Sequence, residues 1–198
     1  MHGACERRGR DSAGDTFPHL RLQDQPARRS NRSSKGFVKT GDREVGALEV
    51  SDDPDELNSV TGRGRFGGWE RTFVAEETRD DGVVFIQAWL SIYRDPAGAA
   101  WAHGENVADT WNESAGAITV IQVPTLGDET VGLAVDQAGE VINAMTIVYL
   151  RSGPYSSGVL VAGRKELLAP NIAIVIAERQ AARLVPRYKA RVRLSGSA

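Results

Sequence analysis

Between Val83 and Tyr93 the chain alternates. One set of positions holds Val84, Ile86, Ala88, Leu90 and Ile92; the other holds Val83, Phe85, Gln87, Trp89, Ser91 and Tyr93. A period of two predicts a strand, and apolar content in both sets predicts a central one, covered on at least one side. Trp69 to Thr78 alternates too, with Trp69, Arg71 and Phe73 set against Glu70, Thr72 and Val74. Asp80-Asp81-Gly82 joins the two runs as a hairpin turn. With the turn there, Trp69 is expected opposite Ile92 or Tyr93 and on one sheet face with Trp89.

The last third repeats the theme. Val141–Leu150 reads as a long apolar strand, residues 151–158 as a Gly/Ser/Pro loop, Gly158–Ala162 as a short strand, and the segment ending in Arg183 as an amphipathic helix. Ala117–Val123 and Thr130–Val135 are shorter strands, the first stopped by Pro124. Two further helices carry start signals. Acidic residues precede Pro54 and Asp95 precedes Pro96, matching the cap-then-proline preference of helix N-termini. The first helix is expected to stop at Gly62 and the second near Asn112. Pro170 marks the start of the main body of the final helix, or a kink in it. Hairpins outnumber strand–helix alternations, so the fold expected is α+β: a mostly antiparallel sheet of about five to six strands flanked by two helices.

Composition sets the domain limits. Residues 1–35 hold eight Lys/Arg against four Asp/Glu and few large apolar side chains. Such a segment buries too little surface to offset its ordering entropy and is expected to be a disordered basic arm. Residues 36–188 form a single α+β domain, and 189–198 a flexible basic tail. Formal net charge is −2, but residues 36–140 carry twenty acids and seven bases, whereas 141–198 carry two acids and nine bases. The basic end gives no strong nucleic-acid signal; a solvated tail is the plainer reading. The lone Cys5 excludes an intramolecular disulfide and a cysteine metal site. No run approaches the roughly 18 apolar residues of a membrane span, and no signal-peptide core follows the first methionine.

Motifs that carry chemistry fail their contexts. Gly62-Arg-Gly-Arg-Phe-Gly67 fits G-x-G-x-x-G, but a helix precedes it and a strand follows, the reverse of a dinucleotide site. It reads instead as a flexible connection with Arg63 and Arg65 facing solvent. Gly153–Gly158 lacks the helix and later histidine of a nucleophile elbow. His103, Glu105 and Asp109 lack the spacing of a zinc helix, so His103 reads as a surface residue and no metal is implied. Asp128 and Glu129 read as solvated carboxylates at a turn. Four tryptophans remain, at 69, 89, 101 and 111; core filling is the plainer role for them, and lining a ligand the sharper one.

The Gly-rich entry to an aromatic strand at 62–68, Tyr93-Arg-Asp-Pro-Ala-Gly-Ala99, Val123-Pro-Thr-Leu-Gly-Asp128, Val148-Tyr-Leu-Arg-Ser-Gly153 and Ala177-Glu-Arg-Gln-Ala-Ala-Arg183 together resemble small secreted or lipoprotein domains of bacteria with a PsbP-like α+β architecture. The resemblance implies a non-enzymatic, extracytoplasmic domain and supplies no catalytic residues and no cofactor. The expectation is a domain binding a small apolar ligand or a protein partner in a groove between sheet and helix, with Trp69, Phe85, Trp89, Tyr93 and Trp101 as the lining. The alternative is a hydrolase-like enzyme using the acidic loop or the Ser156/Ser157 loop. Oligomeric state is left open by the sequence.

Overall fold

Residues 32–33, 36–46, 54–77, 79–114 and 116–195 are described by the computed structural model. Among them, eleven elements follow in order: β1 (Arg32–Ser33), β2 (Phe37–Gly46), α1 (Pro54–Gly62), β3 (Arg65–Ala75), β4 (Val83–Tyr93), α2 (Pro96–Glu113), β5 (Ile118–Ile121), β6 (Glu129–Asp136), β7 (Ala144–Ser152), β8 (Tyr155–Gly163) and α3 (Asn171–Ser195). The strands make one sheet in the order β1-β2-β3-β4-β8-β7-β6-β5, and every neighbouring pair is antiparallel. Two meanders thus meet at β4 and β8, the second reached across α2. The class is α+β as expected, but eight strands and three helices exceed the five to six and two. β2 supplies much of the excess. It carries Lys39, Asp42, Arg43 and Glu44, a pattern without the apolar alternation that reveals a strand.

Of the basic arm, Arg32–Ser33 pairs with β2; the rest lies outside the described residues. α3 continues to Ser195 through most of the expected tail. Lys, Arg, Ala and Leu there are good helix formers, and the first glycine is Gly196.

α2 and α3 cover opposite faces. On one, Val148, Leu150, Val159 and Val161 meet Ala173, Ala177, Ala181 and Leu184 of α3. The four-residue spacing of the three alanines puts them on one stripe, which lets the helix sit close to the sheet. On the other face, Met145, Ile147, Tyr149, Leu133 and Leu160 pack with Val107 of α2. Asp95 caps α2, its carboxylate accepting from the Gly98 N–H at 2.9 Å.

Register corrects two sequence expectations. Val74 pairs with Phe85, so the first hairpin is centred between Arg79 and Asp80 rather than on Asp81. Trp69 then pairs with Leu90 and Glu70 with Trp89, which places the two tryptophans on opposite faces. A register shift between Val83 and Phe85 also separates that pair: Val83 joins the α3 core, and Phe85 the α2 core. The expected loop over 151–158 is mostly strand, because the chain reverses in a turn at Gly153–Pro154 and β8 begins at Tyr155.

Candidate functional site

The five aromatic residues expected to line one groove are divided between the faces. Trp69 lies on the α3 side with 41% of its surface exposed. Phe85 and Tyr93 are buried and Trp89 half-buried, all on the α2 side. Trp89 stands edge-on to Tyr149 at 5.7 Å between ring centroids, an arrangement that aromatic quadrupoles favour. It lies over Gly158, where a Cβ would come within 2.1 Å of Trp89 Cζ2. Trp101 packs beside Tyr93, Ala99 and Ala102, and the Arg63 guanidinium sits over its ring at 5.2 Å. The structure therefore joins Phe85, Trp89, Tyr93 and Trp101 to the α2 side and leaves Trp69 apart.

Trp69 is not a loose surface residue. Its indole N–H donates to Asp42 Oδ1 at 2.8 Å. Arg71 donates to both oxygens of the same carboxylate, at 3.0 and 3.2 Å, and Lys39 donates to Oδ2 at 2.7 Å. The Lys39 bond, aided by those from Arg71 and Trp69, holds the Asp42 pKa down at about 2 against a partial opposing effect of burial. Beside Trp69 on the same face run Arg71, Phe73, Ile86, Ala88 and Leu90, all half-buried. α3 lies over β7 and β8, and Ile86, Ala88 and Leu90 pack against the margin of the core that it covers.

A second constellation escaped sequence reasoning. Cross-strand pairs Glu129↔Arg151, Arg151↔Ser156 and Ser156↔Ser91 run across the α2 face from β6 to β4, and Arg65 Nε continues the row by donating to Ser91 Oγ at 3.3 Å. Arg65 is only 5% exposed, not solvent-facing as expected. The room comes from Gly68, where a Cβ would lie 2.9 Å from Arg65 Nη2 and 2.2 Å from the Leu90 carbonyl oxygen. His103, read as a surface residue, is 4% exposed. Gly104 and Glu105 beside it are exposed; His103 points inward, edge-on to Tyr149. Its Nε2 lies 3.8 Å from Glu129 Oε2, and its Nδ1 is buried without a hydrogen-bond partner. Burial lowers its pKa, opposed by Glu129 and reinforced by Arg151, so the imidazole is neutral at pH 7. The Tyr149 hydroxyl shares a 2.7 Å hydrogen bond with Thr110 Oγ1; burial pushes its pKa up to about 12.

Of the groups considered for hydrolytic chemistry, Asp128, Glu129 and Ser157 are hydrogen-bonded, and Ser156 lies on the α2 face between Arg151 and Ser91. Glu129 accepts from Arg151 at 2.8 Å. Asp128 accepts from Arg151 at 3.2 Å and from the Gly153 N–H at 2.6 Å. Ser157 Oγ donates to the Trp89 carbonyl at 2.6 Å and accepts from Gln180 Nε2. Ser157 shares its face with Leu90, on the α3 side, so the sheet separates its hydroxyl from His103. Among the described residues no group of three or more His, Cys, Asp or Glu side chains is placed to hold a metal ion, and no helix is long and apolar enough to cross a membrane. An open cleft of about 330 Å³ lies at the hairpin end of the sheet, lined by Ala75, Glu76, Val83, Val84, Val141 and Arg164 among others.

No family model matches the chain, so the PsbP-like resemblance has no support from one. No curated protein matches it. Among solved structures, the extracellular domain of PknH from Mycobacterium tuberculosis aligns with 12% identity over 76% of this chain and 87% of that one, at a TM-score of 0.49.

Proposed function

We propose that this is a non-enzymatic binding domain that takes a small apolar ligand or the apolar face of a protein partner in the groove between α3 and the β3–β4 part of the sheet. The observation that carries the reading is Trp69: a large aromatic side chain, exposed yet fixed in orientation by Asp42, at the edge of a half-covered floor of Phe73, Ala88 and Leu90. A pre-oriented aromatic edge over an apolar floor binds without the cost of ordering a flexible side chain. Core filling is the reading that burial favours for Phe85 and Tyr93, and for Trp89 the packing against Tyr149 and Gly158 does so.

The test is the tryptophan emission of the full chain titrated with fatty acids, detergents below micelle formation and apolar metabolites, repeated on Trp69→Phe. A spectral shift lost in the variant supports the groove. A folded wild-type sample whose Trp69 stays equally accessible to acrylamide with every compound refutes the small-ligand arm. Pull-down on immobilised wild type compared with Trp69→Phe tests the partner arm, and identical captures from the two refute it.

A further inference from the structure

Among the described residues β5 ends the sheet, and the direction of its outward backbone groups is set by one hydrogen bond. The Asp136 N–H donates to the Ala117 carbonyl at 2.9 Å, and Ile118↔Val135 to Ile121↔Gly132 continue that register without a bulge. Antiparallel pairs alternate between bonded and non-bonded. Residues 117, 119 and 121 therefore address β6, while the N–H and C=O groups of Ile118, Val120 and Gln122 point away from the sheet. Val120 is the most exposed large apolar side chain described, at 64%, and Thr119 and Gln122 are exposed beside it.

Edges of this kind are normally guarded by charge, proline or a bulge. The opposite edge follows that rule: β2, flanked by only two residues of β1, carries Lys39, Asp42, Arg43 and Glu44 and a register shift at 39–41. β5 does not. From Gly116 to Gly127 there is no charged residue, and Ile118-Thr-Val-Ile121 is β-branched throughout, the composition that best suits a pleated strand. Pro124 ends the run of donors.

We infer that β5 is a self-pairing edge: a second copy of this chain adds antiparallel to it, centred on Val120 opposite Val120 of the partner copy. This inference is independent of the groove, which lies in the other half of the sheet. That register makes Val120 a hydrogen-bonded pair with itself and sets Ile118 against Gln122 of the other copy, so all the outward groups of 118, 120 and 122 are satisfied. Thr119 then faces Ile121 on the other side of the joined sheet. A second copy is favoured over a foreign strand because an uncharged segment meets itself without the like-charge repulsion that self-association usually brings, and the Val120-centred register satisfies every outward group of both copies. The contact is short, placing it among weak, reversible interfaces.

Sedimentation equilibrium of the full chain, in reductant so that Cys5 forms no cross-link, is the test. A monomer–dimer equilibrium is expected in the range of roughly 10–100 µM. Val120→Lys opposes two like charges, and Val120→Pro deletes an outward N–H without touching the β6 ladder; each is expected to weaken the dimer by ~10-fold or more. Hydrogen exchange on the wild type supplies a readout free of folding defects: the Ile118, Val120 and Gln122 amides are expected to become protected as concentration rises. A wild type that stays monomeric to roughly 500 µM, a dimer that survives both variants, or edge amides protected equally at all concentrations (a covering from within the chain) overturns the proposal.

Discussion

Gly158→Ala tests the packing that fixes Trp89. A methyl group at this position would meet three atoms of the indole at 2.1, 2.5 and 2.6 Å. Ordinary van der Waals contact begins at 3.4 Å, so the ring must withdraw by roughly 1.3 Å. It has little freedom to do so. Tyr149 stands edge-on to it, and the Trp89 carbonyl accepts from Ser157 and from Gln180, at 2.6 and 2.9 Å. Overpacking a well-filled site costs about 1–3 kcal/mol, and the restraints on Trp89 put this one at the upper end, about 2–3 kcal/mol. For a domain of this size that is a fall in Tm of about 5–10 °C. Urea unfolding followed by far-ultraviolet circular dichroism measures it without relying on tryptophan. The diagnostic partner is Trp89→Leu, which removes the obstructing ring. The double variant is expected to be more stable than the sum of the two single losses by about 2 kcal/mol. A Gly158→Ala protein within about 0.5 kcal/mol of wild type, or strict additivity of the pair, would refute the contact.

Three further outcomes follow from the site. His103 is held neutral by burial, so the stability it contributes is complete above its ordinary pKa of about 6.5 and declines as pH falls through that value toward its lowered folded pKa; the urea midpoint of wild type should drop as pH falls below about 6.5, and the drop should be smaller in His103→Gln. Tyr149→Phe removes the hydrogen bond to Thr110 and should cost about 1 kcal/mol, while tyrosinate absorbance in the wild type should show one group ionising only near pH 12. Asp42 should titrate at about 2 by carboxyl-carbon NMR rather than at its ordinary 3.8. Its stabilising contribution is complete above the ordinary value and lost as pH falls toward 2, and Asp42→Asn should accelerate hydrogen exchange at the Trp69 indole by weakening its acceptor.

The elements that sequence revealed are those whose signals are local. α2 begins at Asp95–Pro96 because cap and proline act within one turn, and β4 spans Val83–Tyr93 as expected because both its faces are at least half-buried and its apolar content is continuous. α1 stops at Gly62, and α3 begins directly after Pro170. β2 was illegible for the opposite physical reason. It flanks the sheet beyond the helices, so neither face had to be apolar, and its charges describe an edge rather than a core. The strand at 155–158 was hidden by serines and glycine, residues of low strand propensity that fit because Ser157 is hydrogen-bonded and Gly158 lies beneath Trp89.

The sites depend on register, which no single segment encodes. Moving the first hairpin's centre by about a residue and a half changes the partner of Trp69 from Ile92 or Tyr93 to Leu90, and parity then decides whether Trp69 and Trp89 share a groove or lie back to back. The row of Arg65, Ser91, Ser156, Arg151 and Glu129 draws one residue from each of five strands. In each strand that residue reads as an ordinary polar position near a turn. Their meeting under α2 follows only once β8 is known to dock on β4. The same dependence explains why the exposed Val120 of β5 carries no warning in the sequence. An apolar β-branched run reads equally as a buried strand, and only its place at the end of the strand order turns its outward N–H and C=O groups into a surface that can pair.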